Sequence, residues 1–264
     1  MRRILTEIWI YPVKSLGGIR VSAATVMEKG LAFDRRWMLV DGNNGFMTQR
    51  EYPALALFKI RQTDNGFMIT HGGDSADLPF KTEQDSAIID TEVWGSPVKT
   101  MEVSARLSQW FSQRLGSMCK LVAFPEENSR PVDPAFAIGN AQVSLADGYP
   151  LLIIGQSSLD DLNGRLEMAL PMNRFRPNLV FSGGVPYEED EWHHFSIGRN
   201  RFAGVKPCSR CVMTTVDQDT GEKGMEPLTT LSRYRKKNGE VYFGQNVIAI
   251  DHYEIHEGDE IGLG

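Results

Sequence analysis

Turn-forming clusters recur at close spacing along this chain, and the stretches between them are too short for long helices. Residues 4–10 alternate loosely and stop at Tyr11-Pro12, and residues 21–27 follow a Gly17-Gly18 turn. Residues 36–40 run into Asp41-Gly42-Asn43-Asn44-Gly45, which predicts a hairpin loop. Residues 58–61 and 67–70 flank Asp64-Asn65-Gly66, a second hairpin signal, and residues 92–94 and 98–103 flank Gly95-Ser96-Pro97. Strands at this spacing predict an antiparallel barrel or sandwich rather than alternating β-α units.

Helices are few. Residues 104–115 form the clearest, with Ser104 as cap, Leu107, Trp110, Phe111 and Leu115 on one face and Gly116 at the stop. A second is expected from Ser157 or Ser158, with Leu159, Leu162 and Leu166 inward, and a third from Pro227, with Leu228, Leu231 and Tyr234 inward. Between residues 124 and 140 prolines, acidic residues and Gly139 break both periodicities, which places a boundary there and divides the chain into residues 1–124 and 125–264. Strand-like runs resume at 151–154, 178–181, 201–205, 212–216 and 247–251. The expected class is mainly β with a few helices.

The 264 residues are 41% hydrophobic and 23% charged, enough to bury a core. A formal net charge of −6 argues against a general nucleic-acid binder. No window approaches the roughly 18 apolar residues of a membrane span. The opening Met1-Arg2-Arg3-Ile4-Leu5 imitates a signal peptide only until Glu7 interrupts it. Cys119, Cys208 and Cys211 are too few and too odd in number for a disulfide framework, so a cytoplasmic protein with reduced thiols is expected.

The best chemical candidate is Lys206-Pro207-Cys208-Ser209-Arg210-Cys211. Two cysteines at this spacing fit zinc, a dithiol redox pair, one reactive thiol or two buried structural residues. Zinc needs about three or four protein ligands, and no second clean pair exists among Cys119, His193, His194, His252 and His256. A thioredoxin-like pair needs a helix start, whereas residues 212–216 read as a strand. Lys206 and Arg210 favour thiolate, which is a soft metal ligand. A second feature is basic residues beside turns: Lys14 before Gly17-Gly18, Arg35 and Arg36 after Asp34, Arg50, and Arg174 and Arg176 before Pro177. Converging at strand ends they would bind an anion; singly, each reads as solvated charge. The acidic run Glu188-Glu189-Asp190-Glu191 reads as solvated loop, Met168 and Met172 as packing, and Asp217, Asp219 and Glu222 lack the glycine and terminal glutamate of a calcium loop.

The run from Lys206 to Gly221, KPCSRCVMTTVDQDTG, resembles the signature of the MOSC domain, named for the C-terminal part of molybdenum-cofactor sulfurases. Tyr11-Pro12-Val13-Lys14-Ser15 and Asp34-Arg35-Arg36-Trp37 resemble motifs of the associated N-terminal β-barrel domain. Ala146-Asp147-Gly148-Tyr149-Pro150, Phe175-Arg176-Pro177-Asn178, Glu226-Pro227-Leu228 and Phe243-Gly244-Gln245 are similar to the MOSC portion. The resemblance covers essentially the whole chain in order. It implies an N-terminal β-barrel-like domain followed by a MOSC β-barrel domain.

The amidoxime-reducing components are the branch this chain most resembles. That branch implies a molybdenum cofactor (molybdopterin) held between the domains and reduction of N-hydroxylated compounds: amidoximes, hydroxylamines and N-hydroxylated bases. It implies Cys211 as the molybdenum ligand, and Lys14, Ser15, Arg35, Arg176 and Ser209 as holding the pterin and its phosphate, with Asp147, Gly148 and Asn178 in matching loops. Cys208 receives no ligand role. Asp147 is an expected proton relay. The chain ends at Gly264 without the four-cysteine iron–sulfur domain of many bacterial relatives, so electrons are expected from a separate flavoprotein, ferredoxin or cytochrome b5-like protein. Neither a nucleic-acid polymer nor a membrane is expected as partner. The alternative reading is a cofactor- or sulfur-carrier module that binds molybdopterin without its own reductase turnover.

Overall fold

The computed structural model describes residues 2–81 and 86–264, so Met1 of the opening segment lies outside it. Leu151–Gly155 shows how the larger sheet closes. Its apolar run is buried on both faces: Leu151 and Ile153 join the main core, while Leu152 and Ile154 pack under the helix Gln156–Asn163. On one edge it pairs with Leu179–Ser182 in parallel, on the other with Glu240–Ala249. Following the ladder onward from Leu179–Ser182 gives Arg3–Ile10, Glu260–Leu263, His194–Ile197, Asn200–Ser209 and again Glu240–Ala249, a closed seven-stranded barrel. All its other pairings are antiparallel. Closure removes the free edges that open sheets must protect.

The first strand of the chain thus sits inside a barrel otherwise built from residues after 150. A smaller contact repeats the pattern, since Ala23–Met27 pairs with Glu254–His256. Ile19–Val21 pairs with the first strand and Gly30–Leu31 with Ala23–Met27, and the other N-terminal strands form a four-stranded sheet (Trp37–Asp41, Cys119–Ala123, Ser96–Glu102, Ile88–Val93) and a three-stranded meander (Lys59–Thr63, Gly66–His71, Asp74–Pro79). The helix Ala105–Leu115 starts on a Ser104 hydroxyl that accepts from the Leu107 N–H and ends on a left-handed Gly116, as its sequence indicates. Among the described residues no helix is long and apolar enough to cross a membrane.

Several local expectations change. Trp37–Asp41 does turn back across Asp41–Gly45, with an antiparallel bridge from Val40 to Phe46 and the backbone N–H groups of Asp41 and Met47 donating to the carbonyls of Gly45 and Leu39, but the return limb is short and the long ladder partner is Cys119–Ala123. The Asp41 carboxylate there accepts from the backbone N–H of Asn43 and Gly45. The later hairpin turns on Trp94 and Gly95, with Ser96 and Pro97 already in the next strand. Residues 212–215 are a 3-10 turn, not a strand, because Thr214 and Thr215 hydroxyls bond the carbonyls of Cys211 and Val212. Helix Gln156–Asn163 has no serine cap; Ser158 is inside it and bonds Glu189. The acidic run is not a solvated loop: Glu189 is fully buried, and Glu188 and Asp190 pair with Arg3 and Arg235. Met168 is exposed rather than packed.

Candidate functional site

Where the N-terminal sheets meet the barrel, the strand ends enclose a cavity of about 260 Å³. Among the described residues six cationic side chains line it, Lys14, Arg35, Arg50, Arg176, Lys206 and Arg210, against one carboxylate, Asp147. In a chain of net charge −6 this is a concentrated positive site. Ser15, Gly148, Asn178 and Ser209 line it as well, so the residues expected to hold the pterin and its phosphate line one cavity, whereas the expected metal ligand Cys211 is not among the lining residues.

The floor is built around Tyr11. Its ring lies between the guanidinium groups of Arg35 and Arg176, 4.3 and 4.2 Å from the ring centroid. Gly18 permits this, since a Cβ there would approach Tyr11 Cε1 to 2.5 Å. Burial pushes the Tyr11 phenol up to about 12, and its hydroxyl donates to the Pro177 carbonyl. Arg35 is compensated: it donates to both Asp34 carboxylate oxygens and to Asn178 Oδ1. Arg176 is not. It is 5% exposed, donates to the Leu16 carbonyl at 2.7 Å, and enters no ion pair among the described residues. Burial pulls it down to about 10. Asn178 spends its amide on the backbone of Trp9 and Leu152 and on Arg35, so it positions the floor and leaves little free to bind a ligand.

Ser15, Arg35 and Arg176 all have positive φ, at 69°, 49° and 54°. Non-glycine residues rarely adopt this region, and such strain concentrates at binding sites whose surroundings enforce it.

On the opposite wall Lys14 donates to the Leu145 carbonyl at 2.9 Å and to the Asp147 carboxylate. Burial lowers the Lys14 ammonium, and the Asp147 charge opposes that. The enclosing walls push the Asp147 carboxyl up, but Lys14 and the Trp94 indole N–H outweigh them and hold it well below the carboxylate range. Asp147 is therefore ionised at neutral pH. Its side chain remains 58% exposed toward the opening. Arg130 fixes this wall, donating to the carbonyls of Val93, Ser144, Ala146 and Asp147. Sequence reasoning missed Arg130 and Trp94. Arg130 sits in a stretch read only as a boundary, and Trp94 was absorbed into a strand.

The cysteine segment forms the third wall. Cys208, Ser209 and Arg210 line the cavity, and so does Met213, but Cys211 does not. Cys211 is half-buried where Asn200–Ser209 passes into the 3-10 turn, and its carbonyl accepts from Thr214. The wall thiol is Cys208, whose sulfur accepts from Arg210 Nη1 at 2.9 Å. Arg210 Nη2 donates to the Phe175 carbonyl, while its buried Nε has no partner.

These features fit an anionic, oxygen-rich ligand. Arg176 is buried without an ion pair among the described residues, the half-buried Arg210 has an unpartnered Nε, and a Cβ on Gly148 would meet nothing within 4 Å. Among the described residues no three His, Cys, Asp or Glu side chains gather to cage a metal. The donor set is cations for a phosphate plus one lining thiol, Cys208, for a soft metal.

Comparison with known proteins agrees with this chemistry. Residues 2–118 match the family described as the MOSC N-terminal beta barrel domain, and residues 140–262 match the MOSC domain. Mitochondrial amidoxime reducing component 2 of Bos taurus is 35% identical over 88% of this chain and 72% of its own length. Mitochondrial amidoxime-reducing component 1 of Homo sapiens is 33% identical over 98% and 82%. Molybdenum cofactor sulfurase of Arabidopsis thaliana is 31% identical over 98% of this chain, which spans 34% of that protein.

Proposed function

This chain belongs to the MOSC-domain family, with the family's N-terminal barrel in front and amidoxime-reducing components among its homologues, and from that membership we propose that it is a molybdenum-cofactor-dependent reductase of N-hydroxylated compounds. The observation that carries the reading is the buried Arg176, a cation with no carboxylate partner, in a wall of further cations. A phosphate-bearing cofactor completes that charge. Arg176, Arg35 and Ser15 hold the phosphate and pterin, and the Ser209–Arg210 edge holds the metal end. Cys211 is the proposed thiolate ligand, on the strength of the motif it shares with the family. A metal here brings its own organic ligand, since the protein supplies thiols rather than a cage.

When bound, the cofactor supplies two electrons, which with two protons convert R2N–OH to R2N–H and water. The protein's share is position and protons. Asp147, ionised and exposed to the opening, accepts a hydrogen bond from the N–OH or neighbouring N–H group of the substrate. Lys14, its ammonium made more acidic by burial, is the proton source beside it. Electrons come from a separate protein, and the three unpaired cysteines suit the cytoplasm.

The test is metal and pterin content, together with viologen-driven reduction of benzamidoxime, in wild type, Cys211→Ala and Cys208→Ala made in a cofactor-competent host. The reading expects Cys211→Ala to lose molybdenum and at least 100-fold of activity, on the order seen when a metal's ligand sphere is broken, and Cys208→Ala to lose far less. Wild-type protein with neither metal nor pterin would overturn it. The sulfurase similarity supports a second reading, a carrier of cofactor or sulfur. Persulfide on Cys211 without reduction of benzamidoxime would favour that one.

A further inference from the structure

The hairpin joining Ile88–Val93 to Ser96–Glu102 turns on two residues, Trp94 and Gly95, with φ of 52° and 79°. Two-residue turns with positive φ at both centres suit Asn-Gly or Gly-Gly. A tryptophan at the first centre is a backbone outlier, and outliers of this kind persist where function holds them. The ring is not core filling, since Trp94 is 46% exposed. It lines the same cavity as the deeply buried Arg176 but is itself exposed.

Its surroundings hold it still. The indole N–H donates to Asp147 Oδ1 at 2.9 Å. The Arg50 guanidinium lies 4.2 Å from the ring centroid, and Phe46 meets it edge-on with centroids 4.8 Å apart. Arg130 donates both to the Val93 carbonyl, one residue before Trp94, and to the Asp147 carbonyl. The ring is thus backed by a cation, fixed by a hydrogen bond, and nearly half exposed beside the ionised Asp147. A flat conjugated group stacks on such a surface while its N–H or O–H reaches Asp147; a small aliphatic group gains only the second contact.

We propose that Trp94, backed by Arg50, is the substrate platform of this cavity and selects flat, conjugated N-hydroxylated substrates over small aliphatic hydroxylamines. The proposal rests on the reductase reading for its substrates. Its test separates the two. Oxidised holoprotein without an electron donor is titrated calorimetrically with benzamidoxime and with N-methylhydroxylamine, for wild type, Trp94→Ala and Trp94→Phe. The same proteins are then assayed for KM and kcat with both compounds and for molybdenum content.

Stacking on an aromatic ring predicts that Trp94→Ala weakens benzamidoxime binding about fivefold or more, raises its KM in parallel with little change in kcat, and shifts N-methylhydroxylamine by less than about twofold. Trp94→Phe keeps the stacking surface but not the indole N–H, and restores most of the benzamidoxime affinity. Equal losses for both compounds, or no loss for either, would overturn the proposal. So would loss of molybdenum in Trp94→Ala, which would assign the ring to the cofactor. If wild type reduces neither compound, the reductase reading fails, and the titration still decides whether Trp94 binds flat ligands.

Discussion

Arg176, buried in the cavity wall, and Arg235, part-buried against the turn that carries Asp190, are both guanidinium groups stacked on a tyrosine, yet their surroundings differ. Arg235 lies 4.2 Å over the Tyr187 ring, donates to the Tyr242 carbonyl and pairs with Asp190, whose side chain is as enclosed as its own. Next to it Tyr187 donates to Asp161, and Glu189 takes the Ser158 hydroxyl and the Gly155 N–H. In that cluster the cation has its counter-charge within the chain, although Asp190 Oδ1 has no hydrogen-bond partner. Arg176 has the aromatic partner and a carbonyl but, among the described residues, no ion pair; Asp34 and Asp147 act on it only from farther off. A buried charge without its counter-charge is unfavourable in isolation, so the same residue type is structural in one place and awaits a ligand in the other.

The sharpest way to break the comparison is to remove the completed cation. Arg235→Met leaves Asp190, already pushed up by burial and with its Oδ1 unpartnered, as a carboxyl without its cation. Breaking a buried pair in this way costs about 3 kcal/mol or more, read as a lower denaturation midpoint in urea, with molybdenum content per folded molecule unchanged. A loss below about 0.5 kcal/mol, within the range of ordinary surface substitutions, would show the cluster to be no more than surface charge.

Glu189 sharpens it through pH. Burial pushes its carboxyl from 4.5 up to about 7, against the hydrogen bonds from Gly155 and Ser158. The folded state therefore prefers the protonated form. Its contribution is fully present below pH 4.5 and is lost as pH rises through about 7, a difference of about 3 kcal/mol from the linkage of proton binding to folding. Glu189→Gln flattens the stability profile over that window. Asp147, held low by Lys14, acts in the opposite sense, but only at lower pH, below the ordinary carboxylate range. An unchanged profile in the glutamine variant would contradict the assignment.

Local chemistry was legible wherever one segment sets its own conformation. Ser104 and Gly116 delimit a helix that needs no distant partner, and Asp64-Asn65 turns a hairpin between strands paired residue for residue. The convergence of Lys14, Arg35 and Arg176 was legible only through motifs spread along the chain, because it depends on a barrel that closes between the first strand and strands after residue 150. Glu189 was misread for the same reason: its hydrogen-bond partners lie some thirty residues away in sequence (|i−j| of 31 to Ser158). The turn at Cys211 defeated β-propensity because threonine, a strand former elsewhere, here uses its hydroxyls to satisfy the carbonyls of Cys211 and Val212 just past the end of the strand. Arg130 carried no local signal at all, since its partners are four carbonyls from two separate segments.

The most direct measurement is molybdenum and pterin content per folded molecule in Arg176→Met beside wild type and Arg235→Met, all expressed in a cofactor-competent host. Removing an unpaired buried cation leaves the fold as stable as before or more so, while the site loses the charge that holds the phosphate. The expected result is a normal denaturation midpoint with at least tenfold less cofactor in Arg176→Met, and full cofactor in Arg235→Met. Arg176→Met that keeps its molybdenum and pterin would contradict the account.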